Sequence, residues 1–132
     1  MANGIKVTNS GRKLAIHRIF ESVPTYTAPL YFSVGTGTVT PTVADTDLAN
    51  KIIIAGDTTK AIVTGYPIFD DANFLSTNRC LILTTECNGN SLSEFGLKNS
   101  DASPLLFSRI VFTPISKTSS IQVIFKEVDK IM

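Results

Sequence analysis

The sequence predicts a mainly β domain, an antiparallel β-sandwich or barrel-like fold carrying one or two short helices. Three observations predict it. Short runs of apolar, β-branched and aromatic residues recur along the chain; clusters of Gly, Pro, Asn, Ser and Thr separate them; and helical spacing of apolar residues is confined to two short stretches. At 132 residues the chain is long enough for one core, so a single domain over 1–132 is expected. With 43% apolar and 17% charged residues, it can bury enough surface to fold rather than stay disordered.

The first 20 residues contain Lys6, Arg12, Lys13 and Arg18 and no acid, and read as a basic N-terminal arm or helix. Asn9 and Ser10 offer capping side chains ahead of Leu14, Ala15, Arg18 and Ile19 at helical spacing, while the alternation of Leu14 and Ile16 is the competing strand pattern. Pro24 and Pro29 mark a loop, after which "LYFSV" is a strand. Gly35 and Gly37 follow at alternate positions; they permit a bend or a close backbone approach, and Pro41 stiffens the exit. "ADTDLANKI" reads as a second short helix, capped by Asp45 or Thr46, with Leu48 and Ile52 one turn apart.

Downstream, "KAIVTGYPIF" predicts a strand interrupted by Gly65 and Pro67, as at an edge, a bulge or a strand end. "NRCLILTTEC" is the strongest strand candidate, and Asn88-Gly89 predicts a turn into "SLSEFGL". "LLFSRIVFTPI" and "SIQVIFKEV" close the chain; in the latter Ile121, Val123 and Phe125 alternate with Gln122, Ile124 and Lys126. Glu94 and Arg109 thus fall on neighbouring strands, where they either pair or stand solvated. The edges of such a fold must be blunted or paired with another chain.

The net charge of +1 supplies no broad attraction to nucleic acid or membranes, and four bases without interleaved aromatics predict no direct nucleic-acid contact. The charge is nevertheless segregated: residues 1–20 carry +4, residues 21–97 carry −5 and the remainder +2. Within one subunit these neutralise one another; in a ring, the basic arm of one copy meets the acidic face of the next. The start "MANGIKVTNSGRK" has no apolar signal-peptide core, and no run reaches a membrane span, so a cytoplasmic site of synthesis is expected. Cys80 and Cys87 are too few for a cysteine zinc site or a disulfide framework; on one regular strand they would face opposite ways, and reduced, buried thiols are expected.

No motif supplies chemistry. Gly35-x-Gly37 opens like a dinucleotide fingerprint, but the third glycine position is Thr40 and no P-loop Gly-Lys-Ser/Thr occurs. "DTDLAN" begins like a calcium loop, yet Ala49 and Gly56 stand where ligands belong. Asp70-Asp71 reads as a solvated turn. His17, the sole histidine, lacks a nucleophile motif and reads as a surface or interface residue. A small hydrolase using His17 or Asp70 is the weakest reading. A carbohydrate-binding domain using Tyr26, Tyr31 and Tyr66 as stacking faces is a stronger one.

One resemblance runs the length of the chain. "LYFSVGTGTVTPTVADTDLANKI" resembles a segment of small virion proteins of tailed bacteriophages, in which a strand enters Gly-Thr-Gly-Thr, a proline, and Asp-Thr-x-Leu opening a short helix. Later parts of that pattern fit Asn88, Gly89, Glu94, Gly96 and Leu97, then Leu106, Phe107, Arg109 and Phe112, then Lys117 before Ile121 to Phe125; "NSGRKLA" resembles its opening. Where the pattern often has an arginine after the short helix, "IIIAGDTTK" offers only Lys60. The resemblance implies a non-enzymatic structural part of a virion, assembled in the host cytoplasm as a homo-oligomer or on other virion proteins, at a tail, baseplate or fibre base. A capsid auxiliary protein is the alternative. No metal, cofactor or small-molecule substrate is expected. Candidate structural and interface residues are Arg12, Lys13, Arg18, Gly35, Gly37, Asp45, Leu48, Glu94, Gly96, Arg109 and Lys117, with Asp45 expected to cap the helix and the Gly-Thr run to form a corner.

Overall fold

The computed structural model describes residues 6–131; residues 1–5 of the expected basic arm lie outside them. In chain order the elements are β1 (Lys6–Val7), α1 (Asn9–Phe20), β2 (Tyr31–Gly35), β3 (Lys60–Ala61), β4 (Ile68–Asp70), β5 (Leu75–Ile82), β6 (Ser91–Lys98), β7 (Leu106–Ser116) and β8 (Val123–Lys130). They form two antiparallel sheets, ordered β1-β7-β6-β2-β3 and β4-β5-β8. The fold is therefore mainly β and sandwich-like, with its sheets not closed into a barrel.

Strand alternation builds the core. Phe32 and Val34 of β2 and Phe95 and Leu97 of β6 point to one side of the larger sheet, where they meet Cys80, Ile82 and Val123 of the smaller one. Phe95 stacks on Phe125 at 4.6 Å between ring centroids, joining the sheets through their largest side chains. The intervening positions, Ser33, Gly35, Glu94, Gly96 and Arg109, consequently lie on the outer face of the larger sheet.

Helix α1 packs against β7. Its cap is Thr8, one residue before the expected Asn9 and Ser10: the Thr8 hydroxyl accepts from the Gly11 amide at 3.0 Å and donates to the Leu106 carbonyl. Leu14 is buried, and Gly11 lies so close to the Phe107 carbonyl that a Cβ there would collide with it. The glycine of "GRK" thus lets the helix rest on β7.

Three further sequence expectations change. Residues 44–52 form an irregular segment, with Lys51 bridged antiparallel to Gly35, instead of a second helix. The amides of Ala49 and Asn50 donate to the Glu94 carboxylate, while the Thr36 amide donates to the Asn50 carbonyl, so groups that would close helical rings are committed to distant partners. The stretch "KAIVTGYPIF" is split between sheets. Ile62 donates to Leu30 beside β2 and Val63 donates to Arg79 of β5, so the chain crosses over there and turns at Gly65, whose φ is +92°. The strong strand also starts earlier than "NRCLILTTEC" and ends at Ile82, leaving Cys80 and Cys87 on different elements, both buried free thiols. Asn88-Gly89 makes the expected turn, with Gly89 at φ +84°.

Candidate functional site: an ionic cluster beneath the Gly-Thr loop

Register brings the cluster together. Gly35 faces Glu94 across β2 and β6, and Gly96 faces Arg109 across β6 and β7, which makes Glu94 and Arg109 diagonal neighbours on the outer face. They pair rather than stand solvated: Glu94 is 0% exposed and Arg109 1%. Arg109 donates from Nε at 3.1 Å and Nη2 at 2.8 Å to Glu94 Oε2, from Nη1 at 2.9 Å to Asp45 Oδ2, and from Nη2 at 2.9 Å to the Val39 carbonyl.

Both oxygens of the Glu94 carboxylate also face the loop. Oε1 accepts from the Gly37 amide at 3.2 Å and the Asn50 amide at 2.7 Å, and Oε2 accepts from the Ala49 amide at 3.0 Å. A Cβ on Gly37 would stand 2.6 Å from Oε1, and one on Gly35 would overlap both that oxygen and the Asn50 carbonyl. The glycine-threonine run therefore does cradle an anion with its backbone, but the anion is a side chain of the same molecule. Gly96 serves a related purpose: a Cβ there would stand 2.7 Å from the Ser108 carbonyl oxygen and 2.8 Å from the buried Leu106 side chain, with the buried Leu48 next to them.

Asp45 is not a helix cap. Its carboxylate accepts from the Thr42 amide at 2.9 Å, the Thr42 hydroxyl at 3.0 Å and Arg109. Burial works against its charge, but these hydrogen bonds prevail and hold its pKa below the ordinary value. Burial likewise opposes the charge of Arg109, and its bonds to Glu94 and Asp45 overcome that and raise its pKa. Both remain ionised near neutrality.

Two further ion pairs, both on Asp47, extend the cluster. Lys98, 2% exposed, reaches Asp47 Oδ1 at 2.5 Å, and Lys51 reaches Asp47 Oδ2 at 2.6 Å. These bases hold the acidic segment; Lys60 is elsewhere, donating to Glu86 at 2.7 Å and the Leu81 carbonyl at 3.0 Å. Sequence reasoning missed Lys98, although its two-residue spacing from Gly96 on a strand was the signal. Lys117 is buried at a separate place, donating to Asn88 Oδ1 at 2.8 Å and the Thr118 carbonyl at 2.9 Å. Arg12, Lys13 and Arg18 stay outside the cluster, exposed on α1; Arg18 donates to the Tyr26 carbonyl at 2.9 Å and Lys13 lies 5.6 Å from the Tyr26 ring.

Another buried acid had no sequence signal beyond an ordinary strand position. Glu127 accepts from the Ser108 hydroxyl at 3.0 Å through Oε2, while its Oε1 and the Oδ1 of its cross-strand partner Asn78 lack hydrogen-bond partners among the described residues. Burial, then the charge of Asp129, pushes the Glu127 pKa up to about 8.

The residues of the weaker readings are dispersed. His17 Nδ1 lies 2.5 Å from Glu21 Oε1, and Asp70 accepts from the Asn73 amide and side chain in a turn. Tyr26 packs edge-on against His17, Tyr66 borders a small groove beside Arg79 and Ile124, and Tyr31 lines a polar cleft of about 460 Å³ with Asp47 and Lys98.

The fold and cluster together define a class: a mainly β sandwich whose outer loop is pinned by a buried Glu-Arg-Asp cluster. In comparisons with known proteins, no family model, curated protein or solved structure matches the chain.

Proposed function

We propose that this protein is a non-enzymatic structural component of a tailed-phage virion, made in the host cytoplasm and built into a tail, baseplate or fibre base as an oligomer or on a larger particle. The observation that carries the reading is where the resemblance residues meet. Gly35, Gly37, Asp45, Glu94 and Arg109 come from separated segments and direct their polar capacity at one another inside a buried cluster. Side chains used in this way fix the shape of a loop, as a building block requires. The test is immunogold electron microscopy of particles from phage carrying the gene, with mass spectrometry of their purified proteins. Labelling of tails supports the reading, and labelling confined to capsids replaces it with a head auxiliary role. Absence from purified particles overturns both.

A receptor-binding role has one observation in its favour. In the cleft lined by Tyr31, Asp47 and Lys98, an aromatic side chain stands beside hydrogen-bonding groups, the mixture a sugar ring requires. Binding of the isolated protein on a glycan array, lost in Tyr31→Ala, would support it; silence across the array removes it.

A further inference from the structure

At one end of the sandwich the two sheets splay and leave an apolar cleft of about 630 Å³. Val7, Phe107 and Ala15 of α1 form one wall and Phe69, Phe74 and Ile131 the other, so the helix borders the cleft of its own copy; Phe69 and Phe74 are each 67% and Ile131 73% exposed. Aromatic surface of this kind, gathered at one opening, marks a contact face. Asp70 and Asp71 stand at its rim with Lys130. The hydrogen bonds from Asn73 lower the Asp70 pKa and keep that carboxylate charged.

The same chain carries a surface of complementary character. On α1, Ile16, Ile19 and Phe20 occupy i, i+3 and i+4 positions and are 53%, 62% and 77% exposed, forming a ridge left open among the described residues. Arg12, Lys13 and Arg18 lie on the same helix, which contains no acidic residue. A basic, apolar ridge thus matches an apolar cleft with an acidic pair at its rim, in both shape class and charge.

We propose that the α1 ridge of one copy seats in the splayed end of a second copy, with Ile19 and Phe20 entering between Phe69 and Phe74 and Arg12 and Lys13, beside the ridge, facing Asp70 and Asp71. Each copy offers one ridge and one cleft, so the contact propagates until it closes on itself. The inference is independent of the virion reading. A monomer found in particles sinks the inference alone, and a soluble oligomer absent from particles sinks the virion reading alone.

The test is sedimentation velocity on the full chain and two variants, Ile19→Ser/Phe20→Ser and Phe69→Ser/Phe74→Ser, with circular dichroism to verify folding. All four side chains are exposed, so the variants are expected to fold. Wild type is expected to be a discrete oligomer, weakened at high salt, and each variant alone a monomer, because loss of central aromatic anchors weakens association roughly 30-fold or more. The mixed variants retain one intact ridge and one intact cleft between them, and are expected to form a one-to-one dimer. A monomeric wild type, a variant that assembles like wild type, or folded variants that stay monomeric when mixed would each overturn the proposal.

Discussion

Replacing Arg109 by Met removes the charge at the centre of the cluster while keeping much of the side-chain volume. Four hydrogen bonds disappear: two to Glu94, one to Asp45 and one to the Val39 carbonyl. Glu94, at 0% exposure, is left with three backbone amides and no counter-charge. Removing one partner of a buried pair costs about 3–5 kcal/mol, and the surviving amide dipoles place this case near the lower end, at about 3 kcal/mol. For a domain of this size that corresponds to a melting temperature roughly 10–18 °C lower. Calorimetry and urea unfolding of Arg109→Met, Glu94→Gln and the double variant form a thermodynamic cycle, with an expected coupling of about 1–3 kcal/mol. An Arg109→Met protein melting within about 2 °C of wild type, or strictly additive single effects, would refute the reasoning.

Three further outcomes follow from the same structure. Gly35→Ala drives a methyl group into Glu94 and the Asn50 carbonyl, and should cost roughly 1–3 kcal/mol in urea unfolding, whereas Thr38→Ala on the exposed loop stays within about 0.5 kcal/mol. Burial and Asp129 raise the Glu127 pKa from 4.5 to about 8, so between those values the native chain holds a proton that the unfolded chain has released. Stability should therefore be highest at the acid side of that window and fall as pH rises through it; Glu127→Gln should flatten the slope in a series of melts, and an unchanged slope counts against the assignment. Burial raises the pKa of Cys80 and Cys87, with the charges of Glu127 and Glu86 adding to it respectively, so both thiols should react with a disulfide reagent far more slowly in the native than in the urea-unfolded protein. Equal rates would contradict their burial.

The alternating runs made the later strands legible because a strand buried on one face repeats every two residues, and this period survives in a single sequence. The first helix was legible from apolar spacing, though its cap was misplaced by one residue because Thr8 is selected by contact with the Leu106 carbonyl. The paired strands of Glu94 and Arg109 were readable, but not their burial. The segment 44–52 shows where local reading failed. Its spacing suits a helix, yet a carboxylate 45 and 44 positions away takes the amides of Ala49 and Asn50. Lys60 looked like the base nearest to the acidic segment, whereas Lys98, distant in sequence, reaches Asp47.

The amino-acid sequence alone sufficed for the mainly β class, for most of the strand cores from Asn78 onward and for the turn at Asn88-Gly89. Those follow from short-range physics: side-chain alternation, backbone freedom at glycine and the turn preferences of polar residues. It took the folded chain to show that the run encloses a carboxylate, that "KAIVTGYPIF" crosses between sheets, and that hydrophobic side chains gather at a splayed end and on the helix. Each of these depends on which distant groups meet, and a buried charge or an unpaired amide is satisfied by whichever partner folding brings within reach, not by its neighbour in the chain.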